Sequence, residues 1–212
     1  RRTNPSKKRK PRLPITAWVL GRMRGLLALG QAKDQKMWAA LCVAVCGLFR
    51  AGELLWKKNG RATLTRGDVA WYDDHFVVHL QFSKMDGAGD GVDVKVFRTG
   101  GQVCPYEALK VVWNSCANQT PGAPVFQNQD GTAFKYTKFH RRIKELMLQL
   151  GFPKSLVGSH SCRIGGATTL ALLGYPDHVI RAYGRWASLC YQIYLRLDDG
   201  TRRQCAAAFG TA

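Results

Sequence analysis

Residues 35–49, QKMWAALCVAVCGLF, are apolar on almost every side and long enough for a helix. A helix with no polar face cannot lie on a surface, so it must sit in the core with other elements covering it. Asp34 is placed to cap its start. Its far end delivers Arg50, with Glu53 three residues on in RAGELL. A guanidinium leaving a buried helix has to be paired or turned to a ligand, because an isolated buried charge is too costly. Glu53 is the candidate partner.

The rest of the chain supplies the cover. Thr16 can cap a helix in AWVLGRMRGLLALG, where Trp18, Leu20, Met23, Leu26 and Leu27 fall near helical spacing, with Gly21 and Gly25 weakening it. Between Leu64 and Phe97 the period changes to two. DVAWY and HFVVHLQFSK read as strands joined at Asp73 and Asp74, with Phe76, Val78, Leu80 and Phe82 on one face. A turn in MDGAGDG leads to a third strand, VDVKVF, and this hairpin carries Lys84 at its rim. The remaining pattern is helical: PYEALKVVWNSC with Pro105 in its first turn, TKFHRRIKELMLQLG, SCRIGGATTLALLG, DHVIRAYG and SLCYQIYLRL. NQTPGAPVFQNQDGT is a loop. The expected class is α+β, mainly α-helical, with a small three-stranded antiparallel sheet.

Charge indicates the partner. The 212 residues hold 32 Lys and Arg against 14 Asp and Glu, a net charge of +18. That excess points to a polyanion, with nucleic acid ahead of a membrane surface. No apolar run approaches the roughly 20 residues that span a bilayer, and no hydrophobic leader follows the basic N-terminus. Seven scattered cysteines without a zinc-type C-x-x-C pair fit reduced thiols in a cytosolic or nuclear compartment. KKRK near the N-terminus has the look of a nuclear import signal. The chain begins with Arg rather than Met, so a preceding segment is expected.

The segment 158–174, GSHSCRIGGATTLALLG, crowds His160, Cys162 and Arg163 into a helix start. Adjacent Cys162 and Arg163 point in different directions on a helix, which argues against a thiolate–phosphate loop and makes Cys162 a small core residue. The five histidines, His75, His79, His140, His160 and His178, show no i,i+4 pair with a carboxylate, so no metal is expected. His160 and Arg163, three positions apart, share a helix face in the first turn, where free amides favour an anion. Gly165 and Gly166 read as places where that helix approaches a neighbour closely. Farther on, GRWASLCYQIYLRL offers Trp186 and two phenols, Tyr191 and Tyr194.

In order, Arg50, Glu53, Lys84, His160, Arg163, Trp186 and Tyr194 resemble the catalytic domain of the tyrosine recombinase (phage integrase) family, over about residues 34 to 197. The sequence around His160 and after Gly184 is similar to the eukaryotic branch found in DIRS-type retrotransposons and Crypton elements. The resemblance implies a basic arm or linker over residues 1–13 and a catalytic domain over 14–212, without the helical DNA-clamping domain that usually precedes it. It implies that Tyr194 attacks a DNA phosphodiester to form a 3′-phosphotyrosyl link while Arg50 and Arg163 clamp the nonbridging oxygens. Lys84 would protonate the departing 5′ oxygen and His160 would assist proton transfer. Trp186 would donate its indole N–H or pack against the phosphate, and Glu53 would support Arg50. Lys7, Lys8, Arg9, Lys10, Arg12, Arg141, Arg142 and Arg185 would contact DNA. No cofactor, metal or ATP enters, because the covalent link stores the phosphodiester energy. The implied partner is double-stranded DNA, with self-assembly from dimer to tetramer on it and no membrane. The setting would be a mobile element and the nucleus of a eukaryotic cell, or otherwise the cytoplasm. A type IB topoisomerase is similar in its chemistry but relaxes DNA, and a domesticated noncatalytic DNA-binding domain is the alternative from another class. Trp186 and the His-x-x-Arg order favour the recombinase.

Overall fold

The apolar segment is the central helix, as its lack of a polar face dictates. The computed structural model describes residues 12–56, 64–81, 91–158 and 160–186. Helix α2 runs Ala32–Cys46 and is buried continuously from Met37 to Val45. Around it pack α1 (Ala17–Arg24), α3 (Ala51–Leu54), α4 (Pro105–Ser115) and α6 (Ser161–Leu172). Asp34 is not its cap. Gln31 occupies the N-cap, and Asp34, buried in the first turn, accepts the Ala28 amide at 3.0 Å. A first-turn carboxylate still faces the positive end of the helix dipole, so it supports the same helix start from one turn further in.

Thr16 does cap α1, its Oγ1 accepting the Val19 amide at 3.3 Å. The helix stops at Gly25, earlier than the spacing suggests. Trp18 stands 66% exposed while Val19, Leu20 and Met23 are buried. It lies about 200° around the helix from Leu20, at 100° per residue, and so cannot share the core face.

Strands β1 (Val69–Trp71), β2 (His75–Leu80) and β3 (Val92–Phe97) form one antiparallel sheet in that order. Val69 pairs with Val78 and Phe76 with Val96, which puts these four, with Leu80 and Val94, on the buried face. Trp71 joins the sheet to α4, its ring 5.3 Å from Phe76, 5.2 Å from Tyr106 and 5.3 Å from Trp113. Phe82 and Lys84, in the second hairpin, lie outside the described residues.

Pro105 opens α4 at its first position. Helix α5 (Tyr136–Gln149) buries Phe139, Ile143, Leu146 and Met147, the spacing of a single apolar stripe. Helix α7 (Asp177–Tyr183) follows Pro176. The segment SLCYQIYLRL lies outside the described residues. Two short 3₁₀ turns, Arg66–Asp68 and Lys154–Leu156, carry no periodic sequence signal.

Helix α6 lies against α2 and the segment before α1, and its two glycines make that approach possible. A Cβ on Gly165 would stand 1.8 Å from the Ile15 carbonyl oxygen, and one on Gly166 would stand 2.3 Å from that of Val45. The Ile15 amide donates to the Ser161 carbonyl at 2.9 Å, and the Ala17 amide donates to Thr169 Oγ1 at 2.9 Å. This close seat carries Arg163 to the C-terminal end of α2.

Candidate active site

After Cys46 the chain turns through Gly47, Leu48 and Phe49 before Arg50 begins α3. A Cβ on Gly47 would meet the Phe49 ring at 2.2 Å, so the turn needs glycine there. Leu48 holds a φ of 48°. The left-handed region costs an L-residue roughly 1–2 kcal/mol, so surrounding contacts have to hold the turn in place.

Arg50 stands at the N-cap of α3. Its amide donates to Glu53 Oε2 and its Nη1 to Glu53 Oε1, each at 2.7 Å. Arg50's side chain is 34% exposed and Glu53's 14%, so the carboxylate fixes the guanidinium from the buried side and leaves the other side accessible. The i,i+3 spacing seen in the sequence is thus a working ion pair.

Arg163 is only 2% exposed. Its Nη1 donates to the Leu48 carbonyl at 2.7 Å, its Nη2 donates to the Gly184 carbonyl, and its guanidinium lies 4.4 Å from the centre of the Trp186 ring. Trp186 is buried in turn: its amide donates to the Arg181 carbonyl, and Arg181 Nε donates to the Trp186 carbonyl at 3.0 Å. A Cβ on Gly184 would strike the Trp186 ring at 1.7 Å, so this turn also depends on glycine. His160 is the N-cap of α6 and exposed, whereas Arg163, three residues on, is buried. The two share a first turn but present to different surroundings.

Arg185, read from the sequence among the DNA-contacting residues, lies against the turn after α2. Its side chain is 14% exposed; Nη1 donates to the Gly47 carbonyl at 3.1 Å and Nη2 to the Leu48 carbonyl at 3.2 Å. It packs 4.9 Å from the Phe49 ring centre and 3.7 Å from Glu53 Oε2. Burial lowers its pKa; the Glu53 charge opposes the shift and the Arg50 charge adds to it. Two guanidiniums, Arg50 and Arg185, therefore meet one carboxylate at the end of α2, and a third, Arg163, shares the Leu48 carbonyl with Arg185. The carbonyls there carry the negative end of the helix dipole and accept from Arg163 and Arg185. No letter of the sequence marks those carbonyls as acceptors, which is why the role of Arg185 is not legible there.

The other candidates are dispersed. Arg12 Nη1 donates to the Ser155 carbonyl at 2.7 Å on the surface. Arg141 is 76% exposed and 3.8 Å from Glu145, while Arg142 lies between Asp34 and Glu145 at 3.8 and 3.6 Å. Lys7, Lys8, Arg9, Lys10, Lys84 and Tyr194 lie outside the described residues. Tyr183, a phenol at the end of α2, donates to the Cys46 carbonyl at 2.8 Å, and burial raises its pKa, which suits a structural role. Cys162 is 2% exposed with its thiol pushed up to about 12 by burial, an inert core residue as expected. A wide cleft of about 960 Å³ lies at the other end of α2, roughly 20 Å from this cluster. There the Lys36 ammonium donates to Asn128 and lies over the Phe134 ring.

At the level of sequence, no family model and no curated protein matches the chain. Solved structures do. XerH site-specific recombinase, bound to a palindromic difH substrate in a post-cleavage complex, superposes with a TM-score of 0.65 at 14% identity, over 93% of this chain and 52% of that one. The fold is that of the tyrosine recombinase catalytic domain. The Tn1549 transposon integrase in complex with circular intermediate DNA gives 0.63 at 17% identity, covering 94% of this chain and 66% of that chain. A lambda integrase dimer bound to a COC′ core site gives 0.64 at 15%, covering 93% and 64%. The chain thus spans about half the length of the XerH protein it matches.

Proposed function

We propose that this chain cleaves and rejoins double-stranded DNA as a tyrosine-type site-specific recombinase or integrase. The observation that carries the reading is the convergence of Arg50, Arg163 and Trp186 on the turn after α2. Segments more than 100 residues apart in sequence meet there through the Leu48 carbonyl. A guanidinium held at this turn suits the equatorial oxygens of a phosphodiester, where charge builds during in-line displacement, and the buried Arg163 braces the turn that presents it. Arg50, held from one side by Glu53, keeps an accessible face for such an anion.

In this mechanism the Tyr194 phenol attacks the phosphorus, and a P–O bond to tyrosine forms as the bond to the 5′ oxygen breaks. Lys84 supplies the proton to the departing oxygen, and His160, exposed at the start of α6, assists removal of the phenol proton. A free phenol of pKa ~10 is a poor nucleophile at neutral pH, and the cationic pocket favours its anion. Attack by a 5′ hydroxyl on the phosphotyrosine reverses the step, so no external energy is consumed. Arg12, Arg141, Arg142 and the basic N-terminal residues would track the DNA backbone, consistent with a net charge of +18.

XerH and the Tn1549 and lambda integrases are solved on their DNA substrates, which supports a DNA partner here. Assembly as a dimer or tetramer on that DNA, a source in a DIRS- or Crypton-like mobile element, and action in the nucleus complete the proposal. It is tested with nicked duplexes that lose their 5′ fragment on cleavage and so trap the adduct. The expected result is a covalent protein–DNA species that resists denaturant, mapped to Tyr194. Supercoil relaxation without strand exchange between two sites would favour the topoisomerase alternative.

A further inference from the structure

We infer that Arg185 is a positioning residue: with Arg163 it clamps the Gly47–Arg50 turn to the turn that bears Trp186, so that the accessible Arg50 addresses a phosphate. The inference rests on the phosphodiester-cleaving reading above. Both terminal nitrogens of Arg185 already donate to the turn, to the Gly47 and Leu48 carbonyls, and its side chain is 14% exposed. That commitment suits an internal brace better than a DNA contact. Arg163 donates to the same Leu48 carbonyl from α6, so two guanidiniums fix one oxygen.

The backbone points the same way. Among the described residues, Leu48 and Arg185 are the non-glycine positions with positive φ, at 48° and 56°, and they are bonded to each other. Each turn holds the other in a conformation that neither adopts readily alone. Arg185 also has an electrostatic effect. Glu53 Oε2 accepts the Arg50 amide and lies 3.7 Å from Arg185 Nη2, so one carboxylate is divided between two cations. Two cations against one carboxylate leave the turn with a net positive charge that favours a bound anion.

Arg185→Met and Arg185→Lys separate this role from direct DNA contact. In DNA-free protein, hydrogen exchange of the Leu48–Glu53 amides should rise at least about tenfold in Arg185→Met while α5 amides keep their protection. Arg185→Lys, which retains charge but not the two-carbonyl fork, should fall between Met and Arg. The salt slope of DNA binding should be unchanged and trapping of the covalent adduct slowed by at least about tenfold. Unchanged exchange in both variants overturns the clamp. So does a salt slope lowered by about one, which marks a direct phosphate contact. If Arg185→Met loses protection throughout, Arg185→Lys gives the decisive comparison. No adduct from the unsubstituted protein would count against the recombinase reading, and the exchange result is obtained independently of it.

Discussion

Arg50 and Arg163 both hold the proposed site, but one is accessible and the other buried, so their variants should differ. Arg50 touches Glu53 and is 34% exposed, so Arg50→Ala should abolish adduct formation with the melting temperature nearly unchanged. Arg163 is 2% exposed, and removing it takes a donor from the Gly184 carbonyl and empties the space against Trp186, while the Leu48 carbonyl keeps Arg185. Leaving a buried acceptor without its donor costs about 1–3 kcal/mol, so Arg163→Ala should lose both cleavage and roughly 2–12 °C of Tm. Thermal melts of the two variants side by side check the contrast. A pH dependence follows from Cys46 and Cys162, whose thiols burial pushes from 9.0 up to about 12. The folded state then keeps protons that the unfolded chain releases. Stability from this source is intact below pH 9 and is lost as pH rises towards 12. Denaturation midpoints at pH 8 and 10.5 should show the drop, reduced in Cys162→Ala; an equal drop in both proteins would contradict it. At this scale the sequence reveals pairs of side chains, such as Arg50 with Glu53. It conceals main-chain acceptors, because a carbonyl's direction depends on where the chain turns.

Among the elements, α6 is where packing tolerates least. A methyl group on Gly165 would overlap the Ile15 carbonyl, so Gly165→Ala should destabilise by about 1–3 kcal/mol or more and displace Arg163 from its acceptors. Gly21, inside α1, has nothing within 4 Å of its added Cβ, and Gly21→Ala should stabilise by about 0.5–1 kcal/mol. Opposite signs in chemical denaturation are the expected outcome. The elements that were legible are those with a clean period: α2 with no polar face, α5 with one apolar stripe, and three strands alternating by two. The end of α1, the place of Asp34 and the 3₁₀ turn at Arg66 were not. Each is set by a partner distant in the chain or beyond the local pattern, such as the Ala123 carbonyl that accepts the Arg66 amide at 2.9 Å.

For the molecule as a whole, the charge of +18 should make DNA binding steeply salt-dependent. Six basic residues fall in positions 1–11, so deleting that stretch should lower the slope of log K against log salt by up to about 5. Fluorescence anisotropy across a salt series measures it, and an unchanged slope would remove the arm from the DNA interface. The ordered set from Arg50 to Tyr194 indicates the fold from the sequence, because the family resemblance rests on the types and order of residues and not on their contacts. That Arg163 and Arg185 share the Leu48 carbonyl is visible only in three dimensions. The central claim is covalent catalysis by Tyr194. Its most direct test is incubation of the protein and of Tyr194→Phe with a pool of nicked duplexes of randomised sequence, followed by denaturing electrophoresis and peptide mass mapping. The account predicts a DNA-linked Tyr194 peptide from the unsubstituted protein and none from Tyr194→Phe, with DNA affinity equal in both. An undiminished adduct in Tyr194→Phe, or DNA binding with no adduct in either protein, would contradict it.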